Sequence, residues 1–324
     1  MILVTGANGL VGSFLCKELV DKGYQVRAFV RKDSDCSLLH SIQGKIDFAY
    51  GDILDVGSII DAMVGIEQVV HTAAIISFWT KKYAAMHQAN VVGTRNMVDV
   101  ALEKNIKRFI HISSIAAIGR KFSDTQIDET NTWEESALNS EYGITKHQAE
   151  LEIYRATEEG LNTIILNPSI ILGPGIKGSS SFRLFEYVEQ ENKYYTEGQL
   201  NYVDVRDLCS IIEFFTSSTA DSGQRFIVNG GFTTYHAFFN RVAAILDVVP
   251  PQTKATQFMK EIAWRLEAVK AFITGKEPLV TKSTAKSALN LFEYQSDKII
   301  KRANFSFRAL DDTIHWTCAA AFKK

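Results

Sequence analysis

Met1-Ile2-Leu3-Val4-Thr5-Gly6-Ala7-Asn8-Gly9-Leu10-Val11-Gly12 decides the fold. An apolar strand runs into a turn with glycines at 6, 9 and 12, and the turn opens a helical pattern carried by Phe14, Leu15, Leu19 and Val20. Gly6 lets the chain leave the strand tightly, Gly9 admits a close approach of backbone to a pyrophosphate, and Gly12 lets helix pack on strand. The helix N-terminus adds free N–H groups and a positive dipole end. Three glycines in a turn also occur where strand and helix merely pack, and the spacing here is G-x-x-G-x-x-G rather than G-x-G-x-x-G. What favours a dinucleotide is the context: strand before, helix after, and a second strand at 25–30 that completes the βαβ unit. Gly6, Asn8, Gly9, Leu10, Val11 and Gly12 are the first candidate cofactor contacts.

Outward from this unit the pattern alternates. Strands are expected near 2–5, 25–30, 46–50, 68–72, 107–112 and 162–166, with helices at roughly 10–22, 55–64, 80–104 and 140–158. Such alternation predicts an α/β, Rossmann-type doubly wound parallel sheet. Beyond residue 167 the pattern loosens: Gly173-Pro174-Gly175, Gly178 and Ser179-Ser180-Ser181 mark an irregular loop, and the chain after about 232 is mainly helical. The expected division is a nucleotide-binding domain over 1–166, with further sheet strands from about 200–230, and a smaller, largely helical substrate lobe over 167–324.

The 324 residues carry a net charge of −2, with 46% hydrophobic and 22% charged side chains, so neither nucleic acid nor an anionic membrane is expected as partner. Cys16, Cys36, Cys209 and Cys318 lie far apart without a CxxC pair and read as reduced packing residues of a cytoplasmic protein. The first strand is expected from residue 2, and no signal peptide is expected. No uncharged apolar run reaches the ~20 residues that span a bilayer. His87 and His147 lack companions at ligand spacing, so no metal site is expected. His71 and His111, at strand ends, read as hydrogen-bonded core or rim histidines.

Where an NAD enzyme carries an acidic residue, strand two ends Ala28-Phe29-Val30 and is followed by Arg31-Lys32. Two cations suit a 2′-phosphate, so NADP(H) is expected, with NAD through Asp33 as the alternative. Asp52, with Ile53 after strand three, either faces the adenine amino group or caps the helix beginning near Asp55. In the middle of the chain Tyr142-Gly143-Ile144-Thr145-Lys146 puts a phenol and an ammonium on one helix face. A tyrosine of pKa near 10 is a poor acid or base at neutral pH, and a nearby cation lowers it. Lys146 also reaches the nicotinamide ribose, and Ser113-Ser114 at a strand end offers a hydroxyl to a reacting carbonyl oxygen. Singly these are ordinary surface and loop features; their order along the chain carries the reading.

With these residues in place the chain resembles an extended short-chain dehydrogenase/reductase from end to end. The match runs through Thr5–Gly12, Gly51-Asp52-Ile53, His71-Thr72-Ala73-Ala74, Asn90-Val91-Val92-Gly93-Thr94, Ser113-Ser114, Tyr142 with Lys146, Asn167-Pro168-Ser169, and Asn201 to Asp207. The resemblance implies Tyr142 as catalytic acid/base, Lys146 as its partner, Ser114 on the substrate oxygen and Asn90 in support of a proton relay. It also places Ala73, Ala74, Pro168 and Ser169 along the cofactor, and implies a homodimer through the helices at 80–104 and 140–158. Tyr24 to Arg31 is similar to the dihydroflavonol-reductase-like and 3β-hydroxysteroid-dehydrogenase-like branches. Asn167 departs from the arginine often found there, and Ile115-Ala116-Ala117-Ile118 lacks the threonine of many sugar-nucleotide epimerases.

Aromatics after strand four and across 176–202 (Phe78, Trp79, Phe182, Tyr194 among them) suggest an apolar or aromatic carbonyl or alcohol substrate, with Arg183 the counter-argument for a diphosphate. The expected activity is NADPH-dependent reduction of a ketone or aldehyde. The alternatives are a nucleotide-sugar epimerase or dehydratase with tightly held NAD, and a non-catalytic NADP sensor.

Overall fold

The computed structural model describes residues 1–178, 180–218, 220–275, 277–278, 281 and 291–322; Ser179 of the irregular loop lies outside them. Six strands of the first half are β1 (Ile2–Thr5), β2 (Val26–Val30), β3 (Asp47–Tyr50), β4 (Gln68–His71), β5 (Arg108–Ile112) and the short β6 (Gln126–Ile127). The second half adds β7 (Thr163–Pro168), β8 (Ile170–Leu172), β9 (Tyr194–Tyr195), β10 (Gln199–Asp204), β11 (Gln224–Val228) and β12 (Gly231–Thr234). Seven of these form one parallel sheet in the order β3-β2-β1-β4-β5-β7-β11. β1, β5 and β7 are buried along their whole length, because helices cover both faces.

Side chains alternate across this sheet with period two. Ile2, Val4, Val70, Ile110, Ile164 and Leu166 face one core, closed by α1 (Leu10–Asp21) and, later in the chain, Val205–Ser217. Leu3, Val69, Phe109 and Ile165 face the other. That second layer holds α2 (Val56–Ala62), α3 (Tyr83–His87), α4 (Gly93–Glu103) and α5 (Glu141–Glu158). The chain winds β1-β2-β3 outward and then crosses to β4, so the crevice outside the ends of β1 and β4 is the topological switch point where this architecture places ligands.

The helix expected over 80–104 is interrupted. A 3₁₀ turn, Thr80–Lys82, precedes α3, and a five-residue π-turn, Gln88–Val92, separates α3 from α4. Thr94 Oγ1 donates to the Asn90 carbonyl at 2.6 Å, a local bond that competes with the regular backbone ladder.

Of the segment 200–230, only β11 joins the large sheet. β10 pairs with β8 and, antiparallel, with β12 in a separate three-stranded sheet. Leu200 and Tyr202 of β10 face a separate core with Phe182, Phe185 and Phe238, whereas Val203 faces the α1 side of the large sheet. Among the described residues the further helices are α6 (Arg183–Glu189), α7 (Val205–Ser217), α8 (Tyr235–Leu246), α9 (Gln257–Thr274), α10 (Asp297–Ala303) and α11 (Leu310–Ala321). Among the described residues no helix is long and apolar enough to cross a membrane, and no group of three His, Cys, Asp or Glu side chains could hold a metal ion.

Candidate active site

The turn after β1 is built without room for side chains. A Cβ on Gly12 would lie 2.3 Å from the Gly6 carbonyl oxygen, and one on Gly6, at φ +62°, would lie 2.8 Å from Ala73 Cα. The Gly9 N–H donates to Gly6 O at 2.9 Å and closes the turn. Asp55, Ser140, Asp204 and Thr234 cap α2, α5, α7 and α8 with their side chains, but α1 has no such cap. Its first-turn amides are left for an outside acceptor, which fits the pyrophosphate of a dinucleotide.

The end of β4 is strapped to this cradle. Thr5 Oγ1 accepts from the Ala73 N–H at 3.2 Å and bonds His71 Nδ1 at 2.8 Å, while Thr72 Oγ1 donates to Thr5 O at 2.6 Å. His71 Nε2 meets Thr94 Oγ1 at 3.1 Å, so both ring nitrogens are satisfied in the interior. His71 and His111 stack at 5.5 Å, and burial, aided by the Lys146 charge, holds His71 down at about 3 and His111 well below its usual value. Buried neutral histidines stabilise the fold fully above pH 6.5, and that contribution is lost as pH falls from 6.5 toward 3. Urea unfolding should therefore weaken below pH 6.5 by about 1.4 kcal/mol per pH unit for each such histidine. Equal stability at pH 7.5 and pH 5 would show that the rings charge freely in the folded protein.

At the other end of the cofactor path, Arg31 and Lys32 are exposed, and neither side chain makes an ion pair or hydrogen bond among the described residues. Asp52 Oδ1 accepts from Leu54 N–H at 2.9 Å; the cap of α2 is Asp55, whose Oδ1 accepts from Gly57 N–H at 3.1 Å. Ile53 packs where a Cβ on Gly93 would lie 2.6 Å from its Cδ1, which locks α4 against the loop after β3. Pro168 ends β7, and the buried Ser169 hydroxyl has no hydrogen-bond partner among the described residues, an orphaned group that a ligand oxygen would satisfy.

Ser140 caps α5 by accepting from Gly143 N–H at 3.0 Å, and Gly143 lets the helix approach the 114–118 turn, where a Cβ would lie 2.6 Å from Ala116 O. This brings Tyr142 and Ser114 together. The Ser114 hydroxyl also caps the turn, accepting from Ala116 N–H at 3.1 Å. Phe78 presents its ring edge-on to Tyr142 at 6.0 Å. Lys146, 1% exposed, donates to Ile112 O at 2.8 Å and lies 3.5 Å from His111 Nε2.

Titration at the site departs from the expected direction. Burial pushes Tyr142 up to about 12, and its Ser114 partner only partly opposes this. Burial also lowers Lys146 to about 8, against the pull of Glu150. Lys146 spends its shortest bond on the end of β5 rather than on the phenol, so lost hydration outweighs the cation effect.

Asn90 is fully committed. Its Oδ1 accepts from Ile75 N–H at 2.8 Å and its Nδ2 donates to Ile75 O at 2.9 Å and Thr145 Oγ1 at 3.0 Å, pinning the loop after β4 to α5. Arg183 is exposed and donates to Gly178 O at 2.7 Å. His147 stacks on Trp133 at 4.2 Å. Sequence reading missed Glu150, which is buried and bonded to Ser113 and Asn167. The available signal was a carboxylate four residues after Lys146, on the same face of α5.

Residues 2–229 match the model of the NAD dependent epimerase/dehydratase family. A Synechocystis protein named as a dihydroflavonol 4-reductase is 30% identical over 97% of this chain and 93% of its own length. Cinnamoyl-CoA reductase 1 of Petunia hybrida is 29% identical over 70% of this chain and 72% of that protein. The crystal structure of gox2253 superposes with a TM-score of 0.84 at 30% identity, covering 98% of this chain and 97% of that one. The UDP-glucose 4-epimerase of Thermotoga maritima, at 19% identity and a TM-score of 0.78 over 98% and 96%, shares the fold. The chain belongs to the NAD dependent epimerase/dehydratase family and is an NAD(P)-dependent oxidoreductase of the extended short-chain dehydrogenase/reductase type.

Proposed function

We propose that the protein is an NADP(H)-dependent reductase of a ketone or aldehyde, reversibly an alcohol dehydrogenase. The observation that carries this reading is the buried Tyr142 phenol, partnered by Ser114 and edged by Phe78: a proton donor, a carbonyl-oxygen holder and an apolar wall in one place. The reductase names of the Synechocystis and Petunia relatives support the same reaction class.

The glycine turn after β1 and Ser169 would hold a reduced nicotinamide dinucleotide, which would supply the hydride. Ser114 holds the carbonyl oxygen, and Tyr142, kept protonated by burial, gives its proton to the developing alkoxide. Lys146 would hold the ribose hydroxyls of that cofactor, and its charge would offset the phenolate left after transfer. Phe78, exposed and edge-on to Tyr142, offers apolar surface beside the phenol and suits a substrate without a diphosphate. Four free thiols suit a reducing cytoplasm. A homodimer through α4 and α5, where Leu151 is 52% exposed, is checked by light scattering of the purified protein.

Arg31 and Lys32, both exposed at the end of β2, support a 2′-phosphate on the cofactor. Replacing both by alanine is expected to weaken NADPH binding by about 10- to 100-fold for each charge-assisted hydrogen bond lost, while NADH binding stays unchanged. Equal loss for both nucleotides would overturn the NADP preference. Mass spectrometry of denatured protein completes the test: stoichiometric, co-purifying NAD would replace the reductase reading with internal hydride recycling by an epimerase or dehydratase.

A further inference from the structure

We infer that Glu150 is a positioning residue of this reaction: from the interior it fixes the Ser113-Ser114 strand end and keeps the Lys146 ammonium charged. The inference rests on the role given to Lys146 above and extends it to a residue that touches neither substrate nor cofactor.

Glu150 lies one helical turn beyond Lys146 on α5 and is fully buried. Ser113 Oγ donates to its Oε1 at 2.5 Å, and Asn167 Nδ2 donates to the same oxygen at 2.6 Å and to Ser114 O at 2.9 Å. The carboxyl thus holds the backbone on both sides of the Ser113–Ser114 peptide, through a strand-end hydroxyl and through an asparagine on the neighbouring β7. Its Oε2 has no hydrogen bond; the nearest cation is Arg225 of β11, with Nη1 at 3.7 Å. Arg225 Nη2 donates to Glu129 O at 2.7 Å and Asn131 O at 2.8 Å, which fixes the guanidinium with its Nη1 turned to Glu150. Two donors on one oxygen and no acceptor for a proton on the other suit an ionised carboxylate, although burial favours the neutral acid.

An ionised carboxylate here has few places to send its field. The groups facing Lys146 are His111 on β5, His71 on β4, and Tyr142 and Glu150 on its own helix. Both histidines are neutral, and the phenol is protonated, so Glu150 is the sole anion among these neighbours. The groups facing Glu150 besides Lys146 are Arg225 and the Tyr154 phenol. Asn167 of β7 is uncharged, so the cations that face Glu150 among the described residues are Arg225 and Lys146.

The test is Glu150→Gln, measured by the pH dependence of both NADPH binding and carbonyl reduction. In the wild type both weaken as pH rises through the Lys146 titration. In the variant that alkaline limb moves to lower pH by about one unit or more, the shift expected from removing an opposite charge nearby. Binding and turnover at pH 6.5 fall far less than at pH 8.5. A limb that stays in place, with any loss uniform across pH, makes Glu150 merely structural and overturns the inference. Should the amide variant not fold, Glu150→Asp keeps the charge but retracts it by one methylene, and a smaller shift in the same direction is expected; an unmoved limb there is equally fatal. A binding limb that shifts in a protein reducing no carbonyl would uphold Glu150 and reject the reductase reading.

Discussion

Tyr142→Phe is expected to reduce kcat for carbonyl reduction by about 10²- to 10⁴-fold, the usual contribution of a positioned general acid. The variant keeps the ring that packs against Phe78 and removes only the hydroxyl paired with Ser114. NADPH titration and thermal unfolding should therefore match the wild type, which separates a chemical defect from a folding one. Steady-state kinetics with fluorescence titration of NADPH checks this, and turnover near the wild-type rate would remove Tyr142 from the mechanism. Burial keeps the phenol protonated, so the free enzyme presents the proton donor that carbonyl reduction requires.

Gly12→Ala is expected to be the most damaging small substitution in the nucleotide site. The added Cβ would meet Gly6 O at 2.3 Å, Ala7 Cα at 2.7 Å and Gly6 C at 2.9 Å, all backbone atoms that cannot rotate away. Relief requires α1 to move off the turn, at a cost of about 1–3 kcal/mol or more in overpacking. The same movement takes the uncapped amides of α1 away from the phosphates, so dinucleotide affinity should fall by at least about tenfold, the equivalent of 1.4 kcal/mol. Gly44→Ala is the control, since nothing lies within 4 Å of its Cβ position. Thermal unfolding and NADPH titration of the two variants decide it; a Gly12→Ala protein that binds NADPH normally would mean that the turn is not the phosphate cradle.

How much of this was legible in the sequence depends on the range of the forces involved. β1, β5 and β7 are buried on both faces and carry Ile2-Leu3-Val4, Phe109-Ile110 and Ile164-Ile165-Leu166 at their centres, so their ends fall within two residues of expectation. Tyr142 and Lys146 were legible because one helical turn relates them. The interruption at Gln88–Val92 was not, because it involves the Asn90 amide and a loop backbone fifteen residues away in sequence. β10 was expected in the large sheet; its strand pattern is genuine, but its pairing with β8 and β12 depends on which core Leu200 and Tyr202 enter. Glu150 escaped notice for the same reason: its partners Ser113, Asn167 and Arg225 come from three separate strands.

The face of α1 opposite the turn bears on how the protein comes to exist. Lys22 and Tyr24, just past the end of α1, bond Glu213 of α7 at 2.7 and 2.9 Å, Ser210 Oγ donates to Glu18 at 3.0 Å, and Leu15, Cys16 and Leu19 share a core with Leu208, Ile211 and Phe215. The phosphate cradle is therefore synthesised about two hundred residues before the helix that secures it. A nascent chain that stops short of Ser217 exposes the apolar side of α1, and must shield it for the time needed to add some two hundred residues, on the order of ten to forty seconds at typical synthesis rates. Cofactor binding cannot rescue the early intermediate, because the helix that presents the amides is not yet held in place.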